Sequence, residues 1–343
     1  MAKRPTLTDI AAEAGVGVAT VDRVLNGRAT VKPATAQRVA DAAERLGYHA
    51  RGLIRARIDA GLPAMTFGFV LSKERQSFYQ NFAQALTAAV AERRDIRGTA
   101  LIRFVPATTP EDFGTAIREV ARRSHAVGSA AVNHQSVTQV VSDLARDGTP
   151  FFALLNDIAQ NVRHSYYGMD NIKVGRIAAW MIAKEVRHPG KVAIFVGGSR
   201  WHGHVLRETG FVSYLREHAP QFEVLDTFVN LDTRQVTYEA TLDLLDRHTD
   251  LRGIYVAGGG VEGAISAVRE RRPPGKISLI ANEMTDDRRA ALADGYVTMV
   301  ISTPLRELCR DLIETMIRAV QHDPTLSGGQ HFLEPRLYLP ESV

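Results

Sequence analysis

Apolar residues change their spacing along this chain, and the changes divide it into three stretches. From Thr6 to Tyr48 they recur at helical intervals. Ala11, Ala12 and Ala14 favour a first helix; Thr8 can cap it, and Gly15-Val16-Gly17 breaks it. In ATVDRVLN, Val18, Val21, Val24 and Leu25 share one face of a second helix, which Gly27 ends. Pro33-Ala34-Thr35 opens a third, with Val39, Ala42, Ala43 and Leu46 as its stripe and Gly47 as its stop. Residues 49–62 are basic, end in Gly61-Leu62 before Pro63, and read as a linker. From residue 64 the apolar residues gather into short runs: MTFGFVL, TALIRFV, VGSAAV, PFFALL, KVAIFV, FEVLDTFV, GIYVA, ISLIA and VTMVI. Helical stretches separate most of them, among them NFAQALTAAVAE, VSDLARDG, VGRIAAWMIAKE, YEATLDLLDRH and EGAISAVRER.

Such alternation predicts a parallel sheet with helices on both faces. The region is too long for one sheet, so two lobes are expected, with hinges where the chain crosses near residues 158–163, 290–296 and 322–329. Open parallel sheets bind ligands at the carboxyl ends of their strands, and a cleft between two lobes would gather those ends. The expected domains are a helical headpiece (1–48), a hinge linker (49–62) and a two-lobe α/β ligand-binding and dimerisation domain (63–343).

Composition adds three constraints. No run approaches the ~18 apolar residues of a membrane helix, and the N-terminus lacks the apolar centre of a secretory signal. A cytoplasmic protein is therefore expected. The single cysteine, Cys309, lies in a helical pattern and reads as a buried thiol, leaving no internal disulfide. Residues 1–60 hold ten Lys/Arg against six acids, and this accounts for the whole net charge of +4. Basic charge confined to one end suits a polyanion such as DNA.

Two helices joined by a glycine-bearing turn, with a third behind them, form a helix-turn-helix. The second helix of that motif enters the major groove, with its N-terminal residues at the base edges. Here these are Val18, Ala19 and Asp22, with Arg23 one turn in; Arg23 can donate twice to guanine, while Val18 and Ala19 offer apolar contact to a thymine methyl.

TLTDIAAEAGVGVATVDRVLNG followed by ATAQRVADAAERLGY resembles the N-terminus of the lactose-repressor (LacI) family. The resemblance implies a periplasmic-binding-protein-like effector domain, a homodimer, a double-stranded operator and a sugar or polyol effector. Residues at the family's DNA-contacting positions are Val18, Ala19, Thr20, Arg23 and Asn26, and Thr8 joins them as a candidate. Gly17 stands where the family usually has a capping serine. Asp22 stands where it has another serine; it reads either as a specificity device accepting from cytosine or as half of a surface salt bridge. The family's hinge helix inserts a leucine into the minor groove. RGLIRARIDAG puts Arg57 at that register and Ile58 next to it, so either Ile58 or Leu53 replaces the wedge or the DNA bends less. Arg51, Arg55 and Arg57 can serve as phosphate or minor-groove contacts.

A sugar site needs aromatic rings and planar polar groups just after strands. Candidates are Gln76, Phe78 and Tyr79 after the first run, Asn133 after the third, Asn156 after the fourth, and Trp201 and Arg207 after KVAIFV. Gly258, Glu283 and Ser302 follow the last three runs. Arg207 and Glu283 match the family's effector-binding arginine and acid. Gly258-Gly259-Gly260 is read as letting backbone approach the ligand. Asn171 is read as a helix cap or a hinge-side residue. No metal or cofactor is expected and no catalytic residues are assigned. GGGVEG (258–263), with Glu283 about twenty residues on, also satisfies the dinucleotide-binding fingerprint, which leaves an NAD-dependent oxidoreductase as the enzyme alternative.

Overall fold

The computed structural model describes residues 4–26 and 31–343; Gly27, the expected stop of the second helix, lies outside them. Two compact units divide the chain, residues 1–65 with 91–99 and residues 66–90 with 100–343.

The first unit carries α1 (Leu7–Ala14), α2 (Val18–Asn26), α3 (Pro33–Arg45) and α4 (Arg51–Ala60). Thr6, rather than Thr8, caps α1. Its hydroxyl accepts from the Asp9 amide at 3.4 Å, and the Asp9 carboxylate accepts in return from the Thr6 amide at 2.7 Å. A cap must sit outside the helix in an extended conformation. Thr6 does so (φ −111°, ψ 171°), while Thr8 already lies in the first turn and is exposed. Ile10, Val21, Val39 and Ile54, one from each helix, are fully buried in one cluster. Burying such an aliphatic side chain contributes about 1.5–3 kcal/mol. The basic linker is therefore mostly helical, and through Ile54 it packs into the headpiece core.

The second unit has two lobes. The first lobe is built from β1 (Ala64–Ser72), α5 (Ser77–Ala91), β2 (Arg97–Val105), α6 (Pro110–Ala121), β3 (Ala126–Ser129), α7 (Gln135–Arg146), β4 (Phe151–Leu154) and β5 (Ser165–Gly168). The second comprises α8 (Asn171–Glu185), β6 (Lys191–Val196), α9 (His202–His218), β7 (Glu223–Val224), β8 (Phe228–Val229), α10 (Arg234–Arg247), β9 (Leu251–Val256), α11 (Val261–Arg271), β10 (Ser278–Asn282), α12 (Asp286–Ala293) and β11 (Met299–Ser302). The chain then returns: α13 (Leu305–Val320) packs on β3 and β5, and β12 (Gly329–Phe332) pairs with β5. A last crossing places β13 (Arg336–Tyr338) antiparallel to β11. The sheet orders are β12-β5-β4-β3-β1-β2 and β13-β11-β10-β9-β6-β7, with β8 also on β6. Apolar clusters cover both faces of the second sheet, which explains its uninterrupted apolar strands.

The lobe crossings fall between Gly168 and Asn171, Ser302 and Leu305, and Phe332 and Arg336, not at the polar loops expected to be hinges. The actual crossings are short and partly buried, with Met169 2% and Thr303 4% exposed. Three strands also escape the sequence pattern. SYYG and RLY are very short, and GQHF is half polar, so the chain's returns between lobes were displaced. FEVLDTFV is two short strands rather than one.

One packing feature positions the site. A Cβ on Gly175 of α8 would lie 1.9 Å from the Arg207 carbonyl oxygen, and one on Gly210 of α9 would lie 2.1 Å from that of Ile172. The two glycines let α8 and α9 touch backbone to backbone. That contact brings Asn171 and Arg207 together.

Candidate functional site

Residues following β1, β4, β6, β8, β9 and β10 line one cavity between the lobes. The first lobe contributes Lys73, Gln76, Phe78, Tyr79 and Asn156; the second contributes Trp201, His204, Arg207, Asp232, Gly258 and Glu283.

Arg207, on the first half of α9, is 8% exposed. Its Nε donates to Asn171 Oδ1 at 2.7 Å and its Nη1 to the Ala257 carbonyl at 2.7 Å. Among the described residues no carboxylate lies within salt-bridge distance of it. Neutral dipoles thus hold a buried guanidinium in place, leaving Nη2 for a ligand. Asn171 is therefore not the cap of α8. Asp170 is, accepting from the Ile172 and Lys173 amides, and Asn171 turns inward to orient Arg207.

Asp232 sits in a cup. Its Oδ1 accepts from the Gly259 amide at 2.7 Å and its own amide donates to Asn230 Oδ1. Across the cleft, Lys73 Nζ lies 2.6 Å from its Oδ2 and 5.4 Å from the Trp201 ring centroid. Lys73 and Asp232 both have positive φ, 52° and 54°, uncommon for side-chain-bearing residues. Burial pushes the Asp232 carboxyl up, but Lys73, the Gly259 N–H and, at the low pH where it is protonated, His204 pull harder, leaving it below the ordinary carboxylate range. Burial lowers His204 to about 4 against the opposing pull of Asp232, so at neutral pH Lys73 is the cation that Asp232 faces. Burial raises the Tyr79 phenol to about 12, which keeps it protonated.

The triple glycine serves this cup as well. A Cβ on Gly258 would lie 2.3 Å from Asp232 Oδ1 and 2.4 Å from the His204 ring; one on Gly259 would lie 2.8 Å from the Asp232 Cβ; one on Gly260 would lie 2.2 Å from Thr237 Oγ1. The glycines make room for side chains, with Gly258 and Gly259 left as cavity wall. The same contacts overturn the dinucleotide alternative. In that fold a pyrophosphate uses the amides at the helix N-terminus. Here the Gly259 amide is taken by the Asp232 carboxylate, whose charge repels phosphate.

Glu283, at φ 64°, receives the Thr303 amide at 2.9 Å and the Thr303 hydroxyl at 2.7 Å, so it is tied to a lobe crossing. Arg288 is 5% exposed, donates to the Glu283 carbonyl and pairs with Glu262 at 3.0 Å.

Of the expected effector residues, Gln76, Phe78, Tyr79, Asn156, Trp201, Arg207, Gly258 and Glu283 line the cavity. Asn133 does not. It is exposed, and its amide bonds the Arg200 carbonyl because the chain leaves β3 before reaching it. Ser302 lies behind Glu283 and donates to its carboxylate at 3.4 Å. Lys73, Asp232 and Arg288 escaped the residue-by-residue reading. Lys73 directly follows β1, and Asp232 follows β8, so the rule of looking just after strands would have found both.

On the headpiece, Val18, Ala19, Arg23 and Asn26 are exposed on α2, while Thr20 and Asp22 are half-buried. Asp22 Oδ1 accepts from Asn26 Nδ2 at 2.6 Å, so its partner is an amide and not an arginine. Arg51 and Arg57 are exposed on α4. Leu53 is exposed, whereas Ile58 packs against the headpiece core.

Two family models match the chain: bacterial regulatory proteins of the lacI family over residues 6–50, and the periplasmic binding protein domain over residues 67–324. The HTH-type transcriptional regulator CelR of Thermobifida fusca is 28% identical over 354 aligned positions, 99% of this chain and 98% of its own. The regulator GalS of Salmonella typhimurium is 23% identical over 276, covering 77% of this chain and 75% of its own. An ABC transporter solute binding protein from Agrobacterium vitis, solved with α-D-tagatopyranose, superposes with a TM-score of 0.74 at 19% identity, over 81% of this chain and 95% of its own; at that identity the likeness is one of fold. Among the described residues no helix is long and apolar enough to cross a membrane.

Proposed function

The chain belongs to the LacI family of bacterial regulatory proteins, and we propose that it is a cytoplasmic, homodimeric repressor released from its operator by a small neutral sugar or polyol bound in the interlobe cleft. The observation that carries the effector assignment is Arg207, a buried guanidinium aimed into a cavity walled by Phe78, Tyr79 and Trp201. Aromatic faces pack against sugar C–H groups, and guanidinium and carboxylate groups bond vicinal hydroxyls. The relatives GalS and CelR are themselves named as transcriptional regulators, which agrees with a regulatory rather than a catalytic role.

On the headpiece, Val18, Ala19, Thr20, Arg23 and Asn26 form the surface offered to the major groove. Arg51 and Arg57 supply phosphate contacts, and Thr8, exposed in the first turn of α1, is a further candidate. The Asp22–Asn26 pair would occupy the Asn26 amide and leave Arg23 as the principal donor to bases. Ligand binding favours one lobe arrangement over another, and by linkage DNA must shift effector affinity by the same factor.

The test is operator binding of the full chain, measured with a panel of pentoses, hexoses and polyols. One or more should weaken DNA binding. Arg23→Ala should lose the operator, and Arg207→Ala should keep the operator but lose the response. A panel without effect on DNA binding would reject the effector assignment.

A further inference from the structure

The reading of the cleft as a sugar or polyol site leaves one of its donors without a partner. His204 stands in the first turn of α9, held between Trp201, at a ring separation of 6.0 Å, and Gly258, where a Cβ would lie 2.4 Å from the ring. Its Nδ1 lies 3.1 Å from the Gly197 amide. That amide can only donate, so Nδ1 must present its lone pair and the ring proton sits on Nε2. The ring is neutral at physiological pH, since burial has moved its protonation to about 4. Asp232 Oδ1 is 4.0 Å from Nδ1, on the side that carries no proton. Among the described residues no acceptor takes the Nε2 proton, and the ring lines the cavity.

Resting on that reading of the cleft, we infer that His204 is a specificity-determining effector contact, its Nε2–H donating to an oxygen of the bound ligand. The Gly197 amide fixes the tautomer, so this donor cannot convert to an acceptor. The missing Cβ at Gly258 makes room for the ring at this place. An effector must therefore carry an acceptor oxygen at this point. An analogue lacking it would leave a buried N–H unpaired, which is costly beyond the lost bond itself.

The experiment uses the full chain and isothermal titration with D-ribose, D-galactose, D-allose, D-tagatose and myo-inositol, followed by deoxy analogues of whichever binds best. His204→Phe should weaken that ligand roughly 10- to 100-fold, the range expected for an unpaired buried group. His204→Gln, which can place an N–H near the same point, should recover part of the loss. One deoxy analogue should bind wild type and His204→Phe equally. Wild-type affinity in His204→Phe, or the same loss with every deoxy analogue, would overturn the inference. A 15N spectrum of the imidazole provides an independent arm. The Nε2–H tautomer is expected in the free protein, and the Nδ1–H tautomer would overturn the inference whether or not a panel sugar binds. If no panel sugar binds wild type, the sugar reading fails while the tautomer still decides the role of His204.

Discussion

Lys73→Met removes the only charge that joins the lobes across the cavity among the described residues. Lys73 Nζ and Asp232 Oδ2 are 2.6 Å apart, with side chains 19% and 5% exposed. At that distance the Coulomb attraction is about 6 kcal/mol for an effective dielectric of ~20. Desolvation offsets much of it, and removing one partner of a buried pair typically costs ~3–5 kcal/mol. The cost here is smaller, because separating the lobes lets water reach Asp232. The Asn156–Gly203 and Asn133–Arg200 hydrogen bonds also still join them. A shift of about 2 kcal/mol toward separated lobes, or ~30-fold in the equilibrium, is expected. The assay is single-molecule energy transfer on the ligand-free chain, with dyes at Thr115→Cys on α6 and Arg289→Cys on α12, both exposed positions. The native Cys309 will not take dye: it is buried, and burial raises its thiol to about 12. Lys73→Met and Asp232→Asn should both lower the population of the short distance, and Lys73→Arg should retain it. Identical distance distributions in wild type and Lys73→Met would refute the reasoning.

Three further outcomes follow from the packing and the protonation states. Ile54→Ala should destabilise the headpiece by ~2–4 kcal/mol and weaken operator binding while effector affinity is unchanged; denaturation followed by circular dichroism and titration check both. Gly258→Ala should abolish effector binding, since its Cβ would meet both Asp232 and His204, and should leave operator binding intact in a gel-shift assay. Below its unfolded pKa, near 6.5, His204 binds a proton in the unfolded chain but not in the folded one. Its contribution to stability is therefore present above pH ~6.5 and lost as pH falls toward about 4, on the order of 3 kcal/mol in all. In denaturant titrations across that window, His204→Phe should show a shallower decline than wild type.

The sequence made some parts of this molecule legible because local rules govern them. Val21 and Val24 of the α2 stripe are buried and Ala19 and Arg23 are exposed, as helical spacing requires, whereas Val18, placed on the stripe by its spacing, is exposed at the start of the helix. Arg207 and Glu283 were found because each follows a strand and matches a family position. Thr6 as cap was missed because Thr6 and Thr8 are chemically equal and only backbone angle separates them. Lys73 and Asp232 each follow a strand, but their pairing joins residues far apart in the chain and is held by left-handed turns, so no local pattern announces it. The crossings were displaced because β5, β12 and β13 are short strands stabilised by neighbours rather than by their own composition. The triple glycine was legible only in part, for a related reason. A glycine vacates space, and the sequence does not say whether a ligand or another side chain fills it.

The charge pattern of the cavity argues for a neutral ligand. Asp232 is matched by Lys73, and Arg288 by Glu262. Arg207 and Glu283 remain, one of each sign, each already oriented by neutral partners. An anionic effector would gain from Arg207 but face Asp232 and Glu283. A cationic one would meet Lys73, Arg207 and Arg288. A polyhydroxyl compound can accept from Arg207 and His204 and donate to Glu283, with no net charge to desolvate. The Glu283 carboxylate is also bonded to Thr303, on the segment where the chain crosses between lobes. A hydroxyl that donates to Glu283 thus competes with, or reinforces, the bonds that position this crossing. The group that recognises the ligand is in this way also part of the joint whose angle the ligand must set.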